Sequence, residues 1–371
     1  MHYAVCSDAH LGNMRRFGGK LESGLNTRCR EGLATLRRTV DVAKANDCKA
    51  LFVVGDLFDS DDVSGQVIAA AQQVLYESGL QVHIIVGNHD ISTPAKGDHA
   101  CAPLAFSQGL HTHDKPNIVA VDKTNLLLVP YVRDTQRRLL PAMAETIARA
   151  ECKPSVALFH AGIVWGNTPD YLRESDDGLS AQTLYEFFSA HDILLGLAGH
   201  WHTVASKQSA RLQQIGALVP TGFGNPGVDG YGALLVCEGG RIVARCEIPG
   251  PRFFSLSPTV SIGGLQRGLA QAGAFGKAVA RCYVSWEVEV EMLVAAREEM
   301  TALMAACSTV EGEVLPCTAR QQVAAQAAAT AASNTNTLDE ALYEYVGKLD
   351  LPGEVSPDDV LATCRSYLGL G

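Results

Sequence analysis

No two of the eleven cysteines stand in a Cys-x-x-Cys spacing, and their number is odd. That argues against a disulfide framework and against a zinc knuckle. Reduced, mostly buried thiols in a cytoplasmic protein are the expectation. No apolar stretch approaches the ~18 residues that a membrane span needs. No secretory leader is legible either, because Met1-His2-Tyr3-Ala4-Val5-Cys6 already reads as a strand. A surplus of positive charge is missing too. The net charge of −10 argues against indiscriminate coating of nucleic acid, while leaving room for a local basic groove.

The chain has 371 residues, 47% of them hydrophobic, enough to bury one large core and a smaller one. Apolar runs at 2–7, 50–54 and 82–86 read as buried strands. Helical spacing at 26–46 (Leu33, Leu36, Val40, Ala43) and 64–78 (Val67, Ile68, Ala71, Val74, Leu75) lies between them. Alternating strand and helix predicts a parallel α/β core, whose active site belongs beyond the carboxyl ends of the strands. Further strands are predicted at 117–121, 125–129, 155–159 and 193–197. Segments 212–215, 232–237 and 241–247 add an antiparallel part. Pro249-Gly250-Pro251 marks a boundary. The domains read as 1–255, an α+β cap over 256–317, a linker over 318–337 and a helical hairpin over 338–371. In the cap, residues 279–288 alternate, with Ala280, Cys282, Val284, Trp286 and Val288 on one face and Arg281, Tyr283, Ser285 and Glu287 on the other. The hairpin carries seven acids and two bases, a net −5, and suits docking on a partner.

Five short blocks carry chemistry: Ser7-Asp8-Ala9-His10, Gly55-Asp56-Leu57-Phe58-Asp59, Gly87-Asn88-His89-Asp90, Phe159-His160-Ala161 and Gly199-His200-Trp201-His202. Each follows a predicted strand. A lone Asp-x-His is weak, but five such blocks in order are specific. Asp8, His10, Asp56, Asn88, His160, His200 and His202 make a ligand set large enough for two ions, the device that clamps a phosphate ester for attack by water. Carboxylate, imidazole and amide oxygen suit manganese, iron or zinc better than copper. Asp56 is the natural bridge. Asp8, His10 and one late histidine complete one ion, while Asn88, His160 and the other late histidine complete the second. A bend, for which Gly199 is available, must turn His200 and His202 to one side. His89 is expected to meet the phosphate and protonate the leaving oxygen. Asp59 either orients the His89 ring or caps a turn. Asp90 is either catalytic or a loop-stabilising acceptor. His2, His83, His99, His111, His113 and His191 read as non-functional, with His111-Thr112-His113 in a surface loop. Between Arg15 and Arg38 seven basic residues face two acidic ones, a local +5 that begins just after His10 and reads as a solvated helix and loop or, more sharply, as phosphate-backbone contacts.

These blocks resemble the calcineurin-like metallophosphoesterase superfamily. Its pattern is Asp-x-His, Gly-Asp, Gly-Asn-His-Asp/Glu, His and Gly-His-x-His. The Leu11-Gly12 after His10 and the Leu57-Phe58-Asp59 version of the second block resemble the nuclease subunits of SbcCD-type DNA repair complexes. The resemblance covers about residues 1–255. It implies an α/β four-layer α-β-β-α sandwich of two mixed sheets, with a small α+β cap and a C-terminal helical tail. It implies two divalent ions, manganese first, with iron, zinc or magnesium as the others. One would take Asp8, His10, Asp56 and His202, the other Asp56, Asn88, His160 and His200. His89, with Asp59 and Asp90 beside it, would be catalytic. It also implies exonuclease and endonuclease action on DNA, a homodimer, and an SMC-like ATPase partner bound through the C-terminal helices. Two features depart from other branches or from the family. Ser60-Asp61 stands where protein phosphatases have Arg-Gly, and the loop after Asp59 lacks the proline common in the family. The competing reading is a stand-alone phosphodiesterase acting on nucleotides or another small phosphate ester.

Overall fold

A computed structural model describes residues 1–91, 98–166, 168, 177–202, 209–223, 231–257, 260–271 and 281–317. The expected linker at 318–337 and hairpin at 338–371 lie outside the described residues. In chain order the elements are β1 (His2–Cys6), α1 (Thr27–Ala45), β2 (Cys48–Val54), α2 (Gly65–Glu77), β3 (Gln81–Ile85) and β4 (Leu110–His113). Next come β5 (Asn117–Val121), β6 (Thr124–Val129), α3 (Thr135–Arg149), β7 (Val156–His160), β8 (Gly162–Val164), β9 (Gly178–Ser180), α4 (Ala181–Ala190) and β10 (Leu195–Gly199). The remainder are β11 (Leu212–Gln214), β12 (Tyr231–Glu238), β13 (Arg241–Pro249), β14 (Arg252–Leu256), α5 (Leu265–Gln271), β15 (Cys282–Val288), α6 (Leu293–Ala306) and β16 (Val310–Pro316).

Two mixed sheets stack, one in the order β13-β12-β1-β2-β3-β4 and the other β11-β10-β7-β6-β5. Neighbours from β1 to β4 are parallel, as are β6, β7, β10 and β11. The side chains of each strand alternate between two cores. From β1 and β2, Ala4, Cys6, Leu51 and Val53 face Leu33, Leu36, Val67 and Val74 of α1 and α2. Tyr3, Val5, Phe52 and Val54 face Leu126, Leu128, Val156 and Leu158 of the other sheet. The outer face of that sheet (Leu127, Val129, Ala157, Phe159) packs on Leu139 and Met143 of α3 and Leu184 and Phe188 of α4. The layers are therefore helix, sheet, sheet, helix. Strands buried on both faces need continuous apolar runs, and each large side chain so buried stabilises by about 1.5–3 kcal/mol.

Helix α1 starts where expected. The Asn26 side chain caps it by accepting from Cys29 N, and also donates to Met14 O at 2.7 Å, tying the loop after His10 to the helix start. One expectation needs correcting. His111-Thr112-His113 belongs to β4 and not to a surface loop. In register with β3, its rings extend a ladder in which Phe52 and His83 stack at 4.8 Å, His83 and His111 at 4.8 Å, and His83 and His113 at 5.3 Å. In β15 both faces are covered, Tyr283 and Ser285 being buried like Val284 and Trp286.

The chain divides into two compact units. Among the described residues, the first holds those within Met1–Phe254, Leu269–Val284 and Ala306–Gly312, and the second those within Ser255–Gly268, Ser285–Ala305 and 313–317. Strands β14, β15 and β16 form a three-stranded sheet in that order. In the second unit Leu265, Trp286, Ala296, Met300 and Leu303 are buried, and Glu299 accepts from the backbone amides of Gly263 and Leu265. No helix among the described residues is long and apolar enough to cross a membrane.

Candidate metal centre

The five blocks follow the carboxyl ends of β1, β2, β3, β7 and β10, all running the same way in their sheets. The backbone is strained at the ligands themselves. Asp8 (φ 55°), His10 (φ 45°), Asp56 (φ 47°) and His200 (φ 95°) all adopt left-handed conformations that L-residues avoid. The turn that lets His200 and His202 share one side therefore sits at His200 and not, as expected, at Gly199. Gly199 is needed for another reason, since a Cβ there would lie 2.0 Å from Val54 O.

The seven expected ligands converge. Asp8, His10 and His202 form one group and Asp56, His160 and His200 another, with ligand atoms within 4.8 Å of one another. In the first, His10 Nε2 is 2.8 Å from His202 Nε2 and 4.0 Å from Asp8 Oδ1. In the second, Asn88 Oδ1 lies 3.0 Å from His160 Nε2 and 2.9 Å from His200 Nδ1. Asp56 Oδ2 faces both groups, 3.7 Å from His10 Nε2 and 3.4 Å from His160 Nε2. Donors about 2.1 Å from a shared ion lie about 3–3.5 Å apart, so these spacings fit two bridged ions.

One ligand ring is aimed by a hydrogen bond and another faces a carboxylate. His160 Nδ1 donates to Val54 O at 2.9 Å, leaving Nε2 for an ion. His10 Nδ1 faces Asp59 Oδ1 at 3.8 Å. Such partners fix which nitrogen carries the proton. Charge is concentrated here. Burial pushes His10 down to about 3, the nearby histidines adding to this and Asp56 resisting it. Burial, then His160, push His200 down to about 3. Burial opposes charge on His160 as well, but Asp56 beside it lifts the imidazole to about 9. Burial raises Asp8, although His160 and His202 hold it back. For Asp56 burial acts upward, yet His160 and His10 hold it below the usual carboxylate range.

His89 is exposed, its ring 4.8 Å edge-on from that of His10. Asp59 does hold it, but through the backbone. His89 Nδ1 donates to Asp59 O at 2.9 Å, while the Asp59 carboxylate faces His10. Of the two roles open to Asp90, the structure shows the loop-stabilising one. It is fully buried and accepts from Phe58 N (2.9 Å) and Gly87 N (2.8 Å), one bond to each oxygen. Burial, then Asp56, raise it to about 6.

A model of the calcineurin-like phosphoesterase family matches residues 1–204, more than half of the chain. The chain belongs to that family. Like other calcineurin-like phosphoesterases it is a hydrolase with a dimetal site, and the two ligand groups described above are the candidate ligands for it. Among solved structures it is similar to a dimetal phosphatase from Danio rerio (12% identity, 67% of this chain and 98% of that one, TM-score 0.43). It is also similar to a protein from Thermus thermophilus (13%, 63% and 93%, TM-score 0.40). A third is a conserved uncharacterized protein from Streptococcus pneumoniae, described as a predicted phosphoesterase (12%, 64% and 83%, TM-score 0.28). Likenesses this remote say nothing of substrate. No curated protein matches the chain.

Sequence reasoning missed two residues beside this phosphoesterase site. The Tyr131 hydroxyl donates to Asp177 Oδ1 at 2.9 Å, and its ring approaches those of His160 and His200. Asp177 Oδ2 lies 4.0 Å from His200 Nε2. Neither sits in a motif, and no periodicity marks them. The basic run also divides. Arg28 is buried over the Phe253 and Tyr283 rings and donates to Thr221 O, and Arg30 pairs with Glu22 at 2.8 Å. Arg15, Arg16 and Lys20 remain exposed on the loop that leaves the site.

Proposed function

We propose that this phosphoesterase is a metal-dependent DNA exonuclease and endonuclease, the nuclease subunit of an SbcCD-type complex. One observation supports phosphodiester cleavage above the others: an exposed imidazole, His89, stands beside two ligand groups that share Asp56. Two bound divalent ions, manganese by preference, would stabilise charge on the phosphoryl oxygens and acidify an attacking water. Asp56 holds the two sets of ligands in register. The Asp59 carbonyl fixes the His89 ring so that Nε2 meets the phosphate and, from the imidazolium, donates a proton to the leaving oxygen. The exposed Arg15, Arg16 and Lys20 supply positive charge where a flanking phosphate backbone would run, which favours a polymeric substrate. The acidic segment 338–371 is the expected contact for an SMC-like ATPase, and the active form is a homodimer.

The test is His89→Ala in the full chain. Manganese binding should persist while cleavage of linear double-stranded DNA falls by about 10²-fold or more, the lower end of what a general acid contributes. Undiminished cleavage refutes the role. The second reading, a stand-alone phosphodiesterase, is favoured by the engagement of Arg28 and Arg30 within the chain, which thins the basic run beside the site. Turnover of small phosphodiesters by a solitary chain inert on DNA would establish it, whereas co-purification with a coiled-coil ATPase would exclude it.

A further inference from the structure

We propose that Asp177, held by Tyr131, is a positioning residue that sets the metal-ligating tautomer of His200. The inference rests on the dimetal reading of the site. His200 turns its two nitrogens to different partners. Nδ1 is 2.9 Å from Asn88 Oδ1, within the second ligand group, and Nε2 faces Asp177 Oδ2 at 4.0 Å. A neutral imidazole carries its proton on one nitrogen only. With the proton on Nδ1, the ring donates to Asn88 and has no lone pair to offer an ion there. With the proton on Nε2, the lone pair of Nδ1 is free for the ion and the N–H needs an acceptor on the other side. The carboxylate that faces that side is Asp177, whose Oδ2 stands 4.0 Å from Nε2. Carboxylates behind metal-bound histidines act in this way, fixing both tautomer and ring orientation.

The fold builds Asp177 into place. Strands β8 and β9 pair in parallel, and Gly162 N donates to Asp177 O at 2.8 Å where the pairing begins. The Trp201 indole lies against the glycines of these strands. A Cβ on Gly162 would come within 2.2 Å of the ring, and one on Gly178 within 3.1 Å. Trp201 follows His200 directly, so the small sheet and the ligand are packed as a unit. Tyr131, just past β6, donates to Asp177 Oδ1 and turns Oδ2 toward His200.

The experiment titrates the full-length chain with manganese chloride by calorimetry, as wild type, Asp177→Ala and Tyr131→Phe. Wild type should bind two ions. Asp177→Ala should weaken one of the two by about 10–100-fold and leave the other within about twofold. Tyr131→Phe, which keeps the ring contacts, should weaken the same ion by about threefold, the size of one lost hydrogen bond. In ¹⁵N-histidine spectra of the zinc-loaded protein, the His200 Nε2–H signal should be present in wild type and lost or broadened in Asp177→Ala. Two ions bound by Asp177→Ala with wild-type affinity, or an unchanged His200 signal, overturns the inference and leaves the dimetal reading standing. Failure of wild type to bind two ions overturns both. Should Asp177→Ala not fold, Tyr131→Phe decides, and unchanged affinity there overturns the inference.

Discussion

Gly55→Ala should deprive the protein of its second metal ion, and the reason can be worked through atom by atom. Gly55 has φ +83°, and a Cβ built on it would lie 1.9 Å from His160 Nδ1. Ordinary van der Waals contact begins near 3.4 Å, so the ring must retreat by about 1.5 Å. That breaks the 2.9 Å bond from Nδ1 to Val54 O and carries Nε2 away from Asn88 and Asp56. The left-handed conformation costs an L-residue about 1–2 kcal/mol, and forcing a methyl into a filled site adds about 1–3 kcal/mol. Gly79 provides the control. It has φ +69° with nothing within 4 Å of its notional Cβ, so Gly79→Ala carries the conformational cost alone. Urea denaturation of the metal-free full chains should show Gly55→Ala less stable than Gly79→Ala by about 1–3 kcal/mol. After loading with manganese and desalting, elemental analysis should find one equivalent in Gly55→Ala and two in Gly79→Ala. Equal stabilities together with two equivalents in both variants would refute the reasoning.

Two further outcomes follow from groups away from the ligands. Asp90→Asn sets an amide NH₂ against one of the two backbone N–H groups that Asp90 now accepts, and should lower unfolding free energy by about 1–3 kcal/mol; a variant as stable as wild type in urea would contradict this. Burial, then the neighbouring histidines, hold His83 near 3, and burial, then His111, holds His113 near 4, both below the ordinary histidine value. Such groups stay neutral when folded and take up protons when unfolded. Their stabilising contribution is therefore complete above about pH 6.5 and is lost as the pH falls toward 4, by up to about 1.4 kcal/mol per pH unit for each. His83→Phe keeps the stacking and should flatten the stability curve over that range relative to wild type; parallel curves would rule out the ladder as a source of acid sensitivity.

Strands buried on both faces announce themselves as unbroken apolar runs, which is why β1, β2, β3, β7 and β10 were legible. The ligands were legible because each sits at the end of such a strand or within four residues past it. Helix α3 was hidden by Pro141 in its interior and by having only Thr135, Leu139 and Met143 buried, too thin a stripe to read. The edge strand β4 was hidden because Leu-His-Thr-His has no apolar alternation, its histidines being held there by ring stacking. The two roles left open for Asp59 could not be separated from sequence, because no pattern of side chains tells that its carbonyl oxygen meets the His89 ring. Tyr131 and Asp177 are 46 positions apart and meet only through the folded chain.

Strand β1 lies inside its sheet, flanked by β2 on one side and by β12 on the other. Its second neighbour, Tyr231–Glu238, leaves the ribosome more than two hundred residues later. Throughout that interval the first-made strand carries a row of bare amides and carbonyls along one side, next to Asp8. Fragments that stop short of Tyr231 keep that open side for good, and an open side of apolar character invites pairing between chains. Recombinant pieces of this protein should accordingly extend beyond Pro249, where β13 ends, and keep the later segments of the first unit.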